Sequence, residues 1–187
     1  MFGVEELRYF QVQSTQEISS EVTESPTLIS CILSTMTYTS RRLGPDDLEA
    51  LKGLRALFAE AFDDTPAYKD VVSEAYLRAM LADTKTSVLV AQDEQGVVVG
   101  GLVAYELHTV EREACDIYLY DLAVAEAHRR KGIATQLIAM LKEIARGVGA
   151  HVIFVQADNV DKPALALYTK LARNIEDDIT HFEIPIE

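Results

Sequence analysis

The feature that most constrains the fold of this chain is a strand-like run followed closely by an amphipathic helix. Residues Cys115–Val124 are rich in aromatic and aliphatic side chains, which favours a strand. Residues 132–148 carry apolar side chains at three- and four-residue spacing, which predicts a helix with one buried face. A short basic loop joins the two segments. The sequence therefore predicts a sheet with a helix packed on it.

The remaining patterns predict the order β-α-α-β-β-β-α-β-α-β. This order is typical of an α/β (α+β) fold with a mixed, mostly antiparallel central sheet flanked by helices. Gly100 and Gly101 interrupt one strand, which indicates a bulge or a close backbone approach. The expected strands are 39–43, 87–91, 97–107, 115–124, 151–155 and 179–186, and the expected helices are about 45–62, 69–82, 132–148 and 162–171.

Composition indicates one globular domain, residues 38–187, preceded by an extension, residues 1–37. The chain has 187 residues and is 49% hydrophobic, which suffices for one core. The extension is rich in Ser and Thr without a sustained amphipathic period, so we expect it to be weakly ordered. Met36 is an alternative start that the sequence leaves open. No apolar run spans a membrane, no secretory signal is evident, and two distant cysteines form no disulfide framework, so we expect a cytoplasmic protein.

The formal net charge of −13 limits the partners of the chain. Such a charge repels nucleic acid and anionic membranes, and it attracts cationic substrates. On charge alone, acidity that serves only solubility is the favoured alternative. The four histidines are scattered and no CxxC spacing occurs, so we predict no metal site.

The loop before the helix at Gly132 has the properties of an anion site. Backbone N–H groups in the first helical turn have no partner within the helix, and the helix dipole adds positive charge there. Gly132 permits close backbone approach, and Ala134 is small. Arg129, Arg130 and Lys131 supply further positive charge. Two interpretations fit these residues equally well. One is a site for a diphosphate-bearing ligand, and the other is a charged surface turn that caps a helix.

Three motifs in this part of the chain resemble those of the GCN5-related N-acetyltransferases. They are the R-x-x-G-x-A arrangement at Arg129, Gly132 and Ala134, the strand Leu122-Ala123-Val124, and the segment Ala164–Leu171. The resemblance implies that acetyl-coenzyme A (acetyl-CoA) is the cosubstrate and that this strand pairs with its pantetheine arm. The cofactor-binding residues that it implies are Leu122, Ala123, Val124, Arg129, Arg130, Lys131, Gly132, Ile133, Ala134 and Thr135.

A closer resemblance within that superfamily is to the type I aminoglycoside 3-N-acetyltransferases. It implies transfer of acetyl to the 3-amino group of a deoxystreptamine ring, with resistance to the antibiotic as the result. Homodimers are common among such enzymes, so a homodimer is one assembly to expect. Two residues depart from the superfamily pattern, namely Ala172 in place of a Gly and Asp161 in place of an Asn. The matching runs are Arg41–Leu48, Ile117–Val124, His128–Thr135, Val152–Asp158 and Ala166–Leu171.

Asp121 and Tyr168 are the predicted catalytic residues. A carboxylate binds a substrate ammonium and accepts its proton, and Asp121 directly precedes the Leu-Ala-Val strand. Three roles are therefore open for Asp121. It is the general base, it only anchors the substrate, or it is a structural carboxylate. The resemblance places Tyr168 near the coenzyme sulfur as the acid that protonates the thiolate; the alternative is a tyrosine that anchors the core. We expect a backbone N–H at Ala123 or Val124 to stabilise the oxyanion during direct transfer.

Tyr120, Asp121 and Asp158 are the predicted contacts to a cationic aminoglycoside. Strict alternation along a strand places Asp121 on the face opposite to Tyr118 and Tyr120, unless a bulge intervenes. Cys115 has no His partner nearby in sequence and is assigned to the core. Two other functions stay open: an acetyltransferase acting on another amine, such as a polyamine or a protein, and a non-catalytic acyl-CoA-binding module.

Overall fold

The computed structural model describes residues 37–62, 68, 71–180, 182 and 184–186. These residues form five strands, four α-helices and a 3-10 turn at Glu126–His128. The strands are β1 (Thr39–Arg42), β2 (Thr86–Gln92), β3 (Val98–His108), β4 (Cys115–Val124) and β5 (Ala150–Val155). The helices are α1 (Leu48–Ala61), α2 (Glu74–Ala82), α3 (Ile133–Gly147) and α4 (Lys162–Leu171).

The five strands form one sheet in the order β1-β2-β3-β4-β5. Successive strands from β1 to β4 pair antiparallel, and β4 pairs with β5 in parallel. A parallel pair needs a long crossover, which α3 provides. The predicted mixed, mostly antiparallel sheet flanked by helices is therefore confirmed.

Buried apolar side chains lie on both faces of the sheet, as helices on two sides require. On one face, Leu137 and Leu141 of α3 pack with Leu119 and Leu102. On the other face, Leu54 and Phe58 of α1 pack with Val103 and with Leu77 of α2. The helical spacing of apolar residues in α1 and α3 thus translates directly into burial against the sheet.

Gly101 holds α1 close to the sheet. A Cβ at this position would lie 2.5 Å from Leu54 Cδ1 and 2.7 Å from the Leu89 carbonyl oxygen. At Gly100 a Cβ would lie 2.9 Å from Ile133 Cγ2 at the start of α3. The predicted close approach occurs on both faces, and the β2–β3 register also shifts between Ala91 and Gln92.

Two predicted elements differ from the structure. Helix α2 begins at Glu74 and not at residue 69, because Ser73 caps it: the Ser73 Oγ accepts a hydrogen bond from the Tyr76 N–H. The predicted strand 179–186 is wrong for the described residues of that segment, none of which is in a strand. Alternating apolar residues favour a strand only where another strand pairs with the backbone, and here Phe182 and Ile184 remain 80% and 86% exposed.

Other expectations lie partly or wholly outside the described residues. The extension 1–37 falls there except for Thr37, so its weak order stays a prediction. Among the described residues, no helix has the length and apolarity needed to cross a membrane.

Candidate active site

Strands β4 and β5 separate halfway along β4. Their parallel register ends at Leu119 paired with Val155, where β5 stops. Strand β4 continues to Val124 and pairs there only with β3 within the described part of the chain. One edge of the Leu122–Val124 backbone thus faces a wedge between the strands, which is the geometry required for pairing with an extended ligand.

A bulge in β4 lies at the start of this wedge. Asp121 pairs with Val103 and Leu119 pairs with Ala104, so Tyr120 is one extra residue in β4. An extra residue cancels the alternation of side chains at that point. Tyr120 and Asp121 consequently point to the same face, the one that also carries Tyr118, whose ring contacts that of Tyr120 at a centroid distance of 5.4 Å. The exception to strict alternation that the sequence left open is the arrangement observed.

A cavity of about 500 Å³ opens on this face between α1, α2 and the sheet. Asp121 is the one carboxylate among its lining residues in the described part of the chain, and Arg55 is the one cation there. Most of the wall is aromatic or aliphatic, so the carboxylate is shielded from water on several sides. The remaining lining residues are Leu51, Leu54, Phe58, Phe62, Tyr68, Tyr76, Leu77, Met80, Val103, Tyr105 and Tyr120.

Tyr68 contacts Asp121 directly, although no motif in the sequence points to it. The Tyr68 hydroxyl donates a hydrogen bond to Asp121 Oδ2. Tyr68 belongs to the connection between α1 and α2, where the neighbouring Asp-Asp-Thr-Pro segment indicates only a helix break. The hydrogen bond joins residues 53 positions apart, so no local motif records it.

Burial controls the protonation of this pair. Burial raises the pKa of Asp121 above its ordinary value, and the hydrogen bond from Tyr68 opposes part of that rise. Burial and the adjacent carboxylate raise the pKa of Tyr68 far above its usual range. Tyr68 therefore remains a proton donor, and Asp121 is a stronger base than a solvent-exposed aspartate.

Tyr168 lies on α4, half-buried against the core on the α3 side of the sheet. Burial, and then the negative charges of Asp161 and Asp121, raise its pKa to about 12. Tyr168 is thus protonated at neutral pH, as a general acid must be. Asp161 caps α4: its Oδ1 accepts a hydrogen bond from the Ala164 N–H at 3.0 Å. Ala172 is the other residue that departs from the superfamily pattern. It ends α4, and its N–H donates a hydrogen bond to the Tyr168 carbonyl oxygen.

The loop at the start of α3 leaves the helix N-terminus without a side-chain cap. Gly132 is the N-cap residue with φ 83°, and no side chain caps the helix there. Arg130 also has a positive φ of 61°. The Arg129 Nε donates to the Val124 carbonyl at 3.0 Å, which fastens the loop to the end of β4. Arg129, Arg130, Lys131, Gly132 and Thr135 are exposed, Ala134 is half-buried, and Ile133 is buried.

Asp158 and Cys115 lie apart from this cavity. Asp158 follows β5, is exposed, and is absent from the lining of the Asp121 cavity, so its substrate role stays a prediction. Cys115 is buried, and burial raises the pKa of its thiol, which fits the core assignment. Within the described residues, no three His, Cys, Asp or Glu side chains are grouped to hold a metal ion.

A strand edge that β5 leaves open beside the N-terminus of α3 can hold an extended, anionic ligand, and comparison with known proteins gives the family. Residues 51–172 match the model of the acetyltransferase (GNAT) family. The chain therefore belongs to the GNAT acetyltransferase family.

The similar solved structures include two aminoglycoside acetyltransferases from uncultured soil metagenomic samples. One is 46% identical with a TM-score of 0.76, and the match covers 81% of this chain and 100% of that one. The other, in complex with sisomicin, is 30% identical with a TM-score of 0.74, over 80% of this chain and 97% of that one. A curated relative, streptothricin acetyltransferase of Streptomyces lavendulae, is 25% identical over 72% of this chain and 80% of its own length.

Proposed function

We propose that this protein transfers the acetyl group of acetyl-CoA to an aminoglycoside, at the 3-amino group of the deoxystreptamine ring. The observation that carries this proposal is the position of Asp121, which lines a substrate-sized cavity and directly precedes the splayed part of β4. An amine bound to this carboxylate lies beside a ligand paired with Leu122–Val124. The similarity to two aminoglycoside acetyltransferases supports the substrate class.

The residues present fit acetyl-CoA on chemical grounds. The first-turn amides of α3, which no side chain caps, and the charges of Arg130 and Lys131 suit the diphosphate. The edge of Leu122–Val124 with which no strand pairs in the described part of the chain suits the amides of a pantetheine arm. When bound, acetyl-CoA supplies the thioester whose acetyl group is transferred.

The proposed reaction needs one base and one acid. The substrate ammonium binds Asp121 and loses a proton to its carboxylate, directly or through water. The freed nitrogen lone pair forms a bond to the thioester carbonyl carbon, and a backbone N–H at Ala123 or Val124 stabilises the oxyanion. The C–S bond then breaks and the Tyr168 hydroxyl protonates the thiolate. The acylated nitrogen loses its second proton to solvent, Asp121 releases the first proton to solvent, and Tyr168 regains one proton from solvent. The balance is an ammonium and a thioester giving an amide, a thiol and one proton.

The streptothricin acetyltransferase relative supports a second candidate substrate class. Its similarity is lower than that of the two aminoglycoside acetyltransferases, which is why an aminoglycoside is proposed first. A polyamine or a protein amino group also presents an ammonium to Asp121, so both are compared with the aminoglycosides as substrates. An acyl-CoA-binding module without activity would bind acetyl-CoA and give no product.

A panel of amines tests the proposal. The protein is incubated with acetyl-CoA and gentamicin, sisomicin, streptothricin, spermidine or a peptide amine, and thiol release is measured. We expect turnover of gentamicin and sisomicin, with mass spectrometry placing the acetyl group on the 3-amino nitrogen. Asp121→Asn should reduce kcat/KM about 100-fold or more, while Glu60→Gln, at an exposed carboxylate of α1, should not. Turnover of spermidine alone, or acetyl on another nitrogen, would overturn the substrate or the position proposed.

A further inference from the structure

The Asp121 carboxylate is held from one side by a residue that no motif contains. Tyr68 donates its hydroxyl proton to Oδ2 of Asp121. A carboxylate has two oxygen acceptors, so this bond leaves Oδ1 for a substrate amine. We propose that Tyr68 is the positioning residue of the base: it fixes the rotamer of Asp121 and presents Oδ1 to the cavity. This inference rests on the proposed function of the same site.

Tyr68 is itself held in place by α1. The Arg55 Nη2 donates to the Tyr68 carbonyl oxygen at 3.2 Å. The Tyr68 ring packs against Phe58 and Phe62, with centroid distances of 5.5 and 5.6 Å. A ring fixed by two aromatic neighbours and a backbone bond places its hydroxyl with little conformational freedom. The hydrogen bond to Asp121 is therefore preorganised and does not have to form when substrate binds.

The hydrogen bond also determines how strongly Asp121 binds its proton. Burial favours the neutral acid and the Tyr68 hydroxyl favours the carboxylate, so the two effects on the pKa of Asp121 have opposite signs. Tyr68 does not compete for the proton, because its own pKa is raised far above the working range. The groups that face Asp121 from the surrounding elements are Arg55 of α1, Tyr68, Tyr76 of α2, Tyr105 of β3, Tyr118 and Tyr120 of β4 and, across the sheet edge, Tyr168 of α4.

A substrate ammonium strengthens this arrangement. Its positive charge next to Oδ1 favours the ionised carboxylate that Tyr68 already stabilises. The proton moves only after the amine is placed against the thioester, and it moves to Oδ1, the oxygen that does not accept from Tyr68. The N–H bond of the substrate breaks and an O–H bond of Asp121 forms, while the O–H bond of Tyr68 is unchanged throughout.

Tyr68→Phe tests this role because it removes the hydroxyl and keeps the packed ring. We expect kcat/KM for the amine to fall about tenfold at neutral pH, the loss of one hydrogen bond to a charged group. The acidic limb of its pH profile should move upward by ~0.5–1 pH unit. The KM for acetyl-CoA should stay at the wild-type value. Thermal melting of both proteins checks that the variant is folded at the assay temperature.

A double-mutant cycle with Asp121→Asn separates positioning from general stabilisation. If Tyr68 acts through Asp121, Tyr68→Phe should cause little further loss in the Asp121→Asn background. Fully additive losses, or an acidic limb that does not move, would overturn the positioning role. If Asp121→Asn alone leaves acetylation intact, the proposal that Asp121 is the base is wrong, and so is the inference about Tyr68 that rests on it. If Asp121→Asn is inactive and Tyr68→Phe behaves as wild type, only the inference about Tyr68 fails.

Discussion

Tyr120 and Asp121, although adjacent in sequence, lie on the same face of β4 because the strand carries one more residue than β3 at this point. Without this bulge the carboxylate and the tyrosines would face opposite sides of the sheet. The bulge therefore assembles the aromatic wall and the carboxylate into one cavity. It lies where β5 ends and β4 becomes available to a ligand. The proposed substrate and cosubstrate sites thus meet at a single irregularity of one strand.

The first prediction concerns protein stability and Asp121. Its pKa is raised in the folded protein, so its contribution to stability is fully present below the unfolded pKa of about 3.9 and is lost as pH rises through the folded value. Asp121→Asn, which has no charge to bury, should therefore have a higher Tm than wild type at pH 7. The difference should shrink to near zero as the pH falls below about 4. A Tm below wild type at pH 7 and restored in acid would show that the carboxylate is instead stabilised by its surroundings.

The second prediction concerns Tyr168 as the acid. Tyr168→Phe keeps the ring in the core but cannot protonate the thiolate, so kcat should fall about 100-fold. The KM values for both substrates should change little. Since the pKa of Tyr168 is about 12, wild-type activity should show no alkaline loss from this group near neutral pH. Stopped-flow measurement of thiol release gives kcat directly, and an unchanged kcat would return Tyr168 to a purely structural role.

The third prediction concerns the loop at the start of α3. Gly132 adopts φ 83°, which disfavours any side chain although the space around its Cβ position is open. Gly132→Ala should cost about 1 kcal/mol of stability and should weaken acetyl-CoA binding in calorimetry. The matched control is Gly147→Ala at the end of the same helix, also in open space, which should be neutral or stabilising. If the two substitutions had equal effects on stability and on acetyl-CoA binding, the positive φ of Gly132 would not be the cause of those effects.

The fourth prediction concerns the contact between α1 and the sheet behind the cavity. A methyl group at Gly101 would meet Leu54 and the backbone of Leu89, and backbone cannot move aside easily. Gly101→Ala should therefore cost about 1–3 kcal/mol in the free energy of unfolding. Denaturant titration measures this cost. A variant as stable as wild type would mean that α1 shifts freely on the sheet, and the cavity shape would then not be fixed by this contact.

Local patterns were enough to predict most of the fold. The apolar spacing of α1 and α3 and the composition of β4 are properties of neighbouring residues, and both were realised. Asp161, which departs from the superfamily pattern, caps α4. The strand expected at 179–186 was not formed by its described residues, because strand formation depends on a pairing partner that the segment itself does not encode.

The site was predictable to the extent that it lies on continuous motifs. Asp121 and Gly132 belong to one strand-loop-helix segment and were selected from it. Tyr68 was missed because its role depends on a tertiary contact that crosses from the α1–α2 connection to β4. A bulge at Tyr120 was allowed by the sequence but not predicted from it, because strand register arises from the pairing of two strands and not from either alone.

A crystal structure of the protein with coenzyme A and sisomicin would locate both ligands relative to Asp121 and the start of α3. We predict diphosphate oxygens within hydrogen-bonding distance of the backbone N–H groups of Ile133–Thr135, pantetheine along Leu122–Val124, and an amino group of the drug at Asp121 Oδ1. A diphosphate bound elsewhere, or a drug whose amines avoid Asp121, would contradict the account.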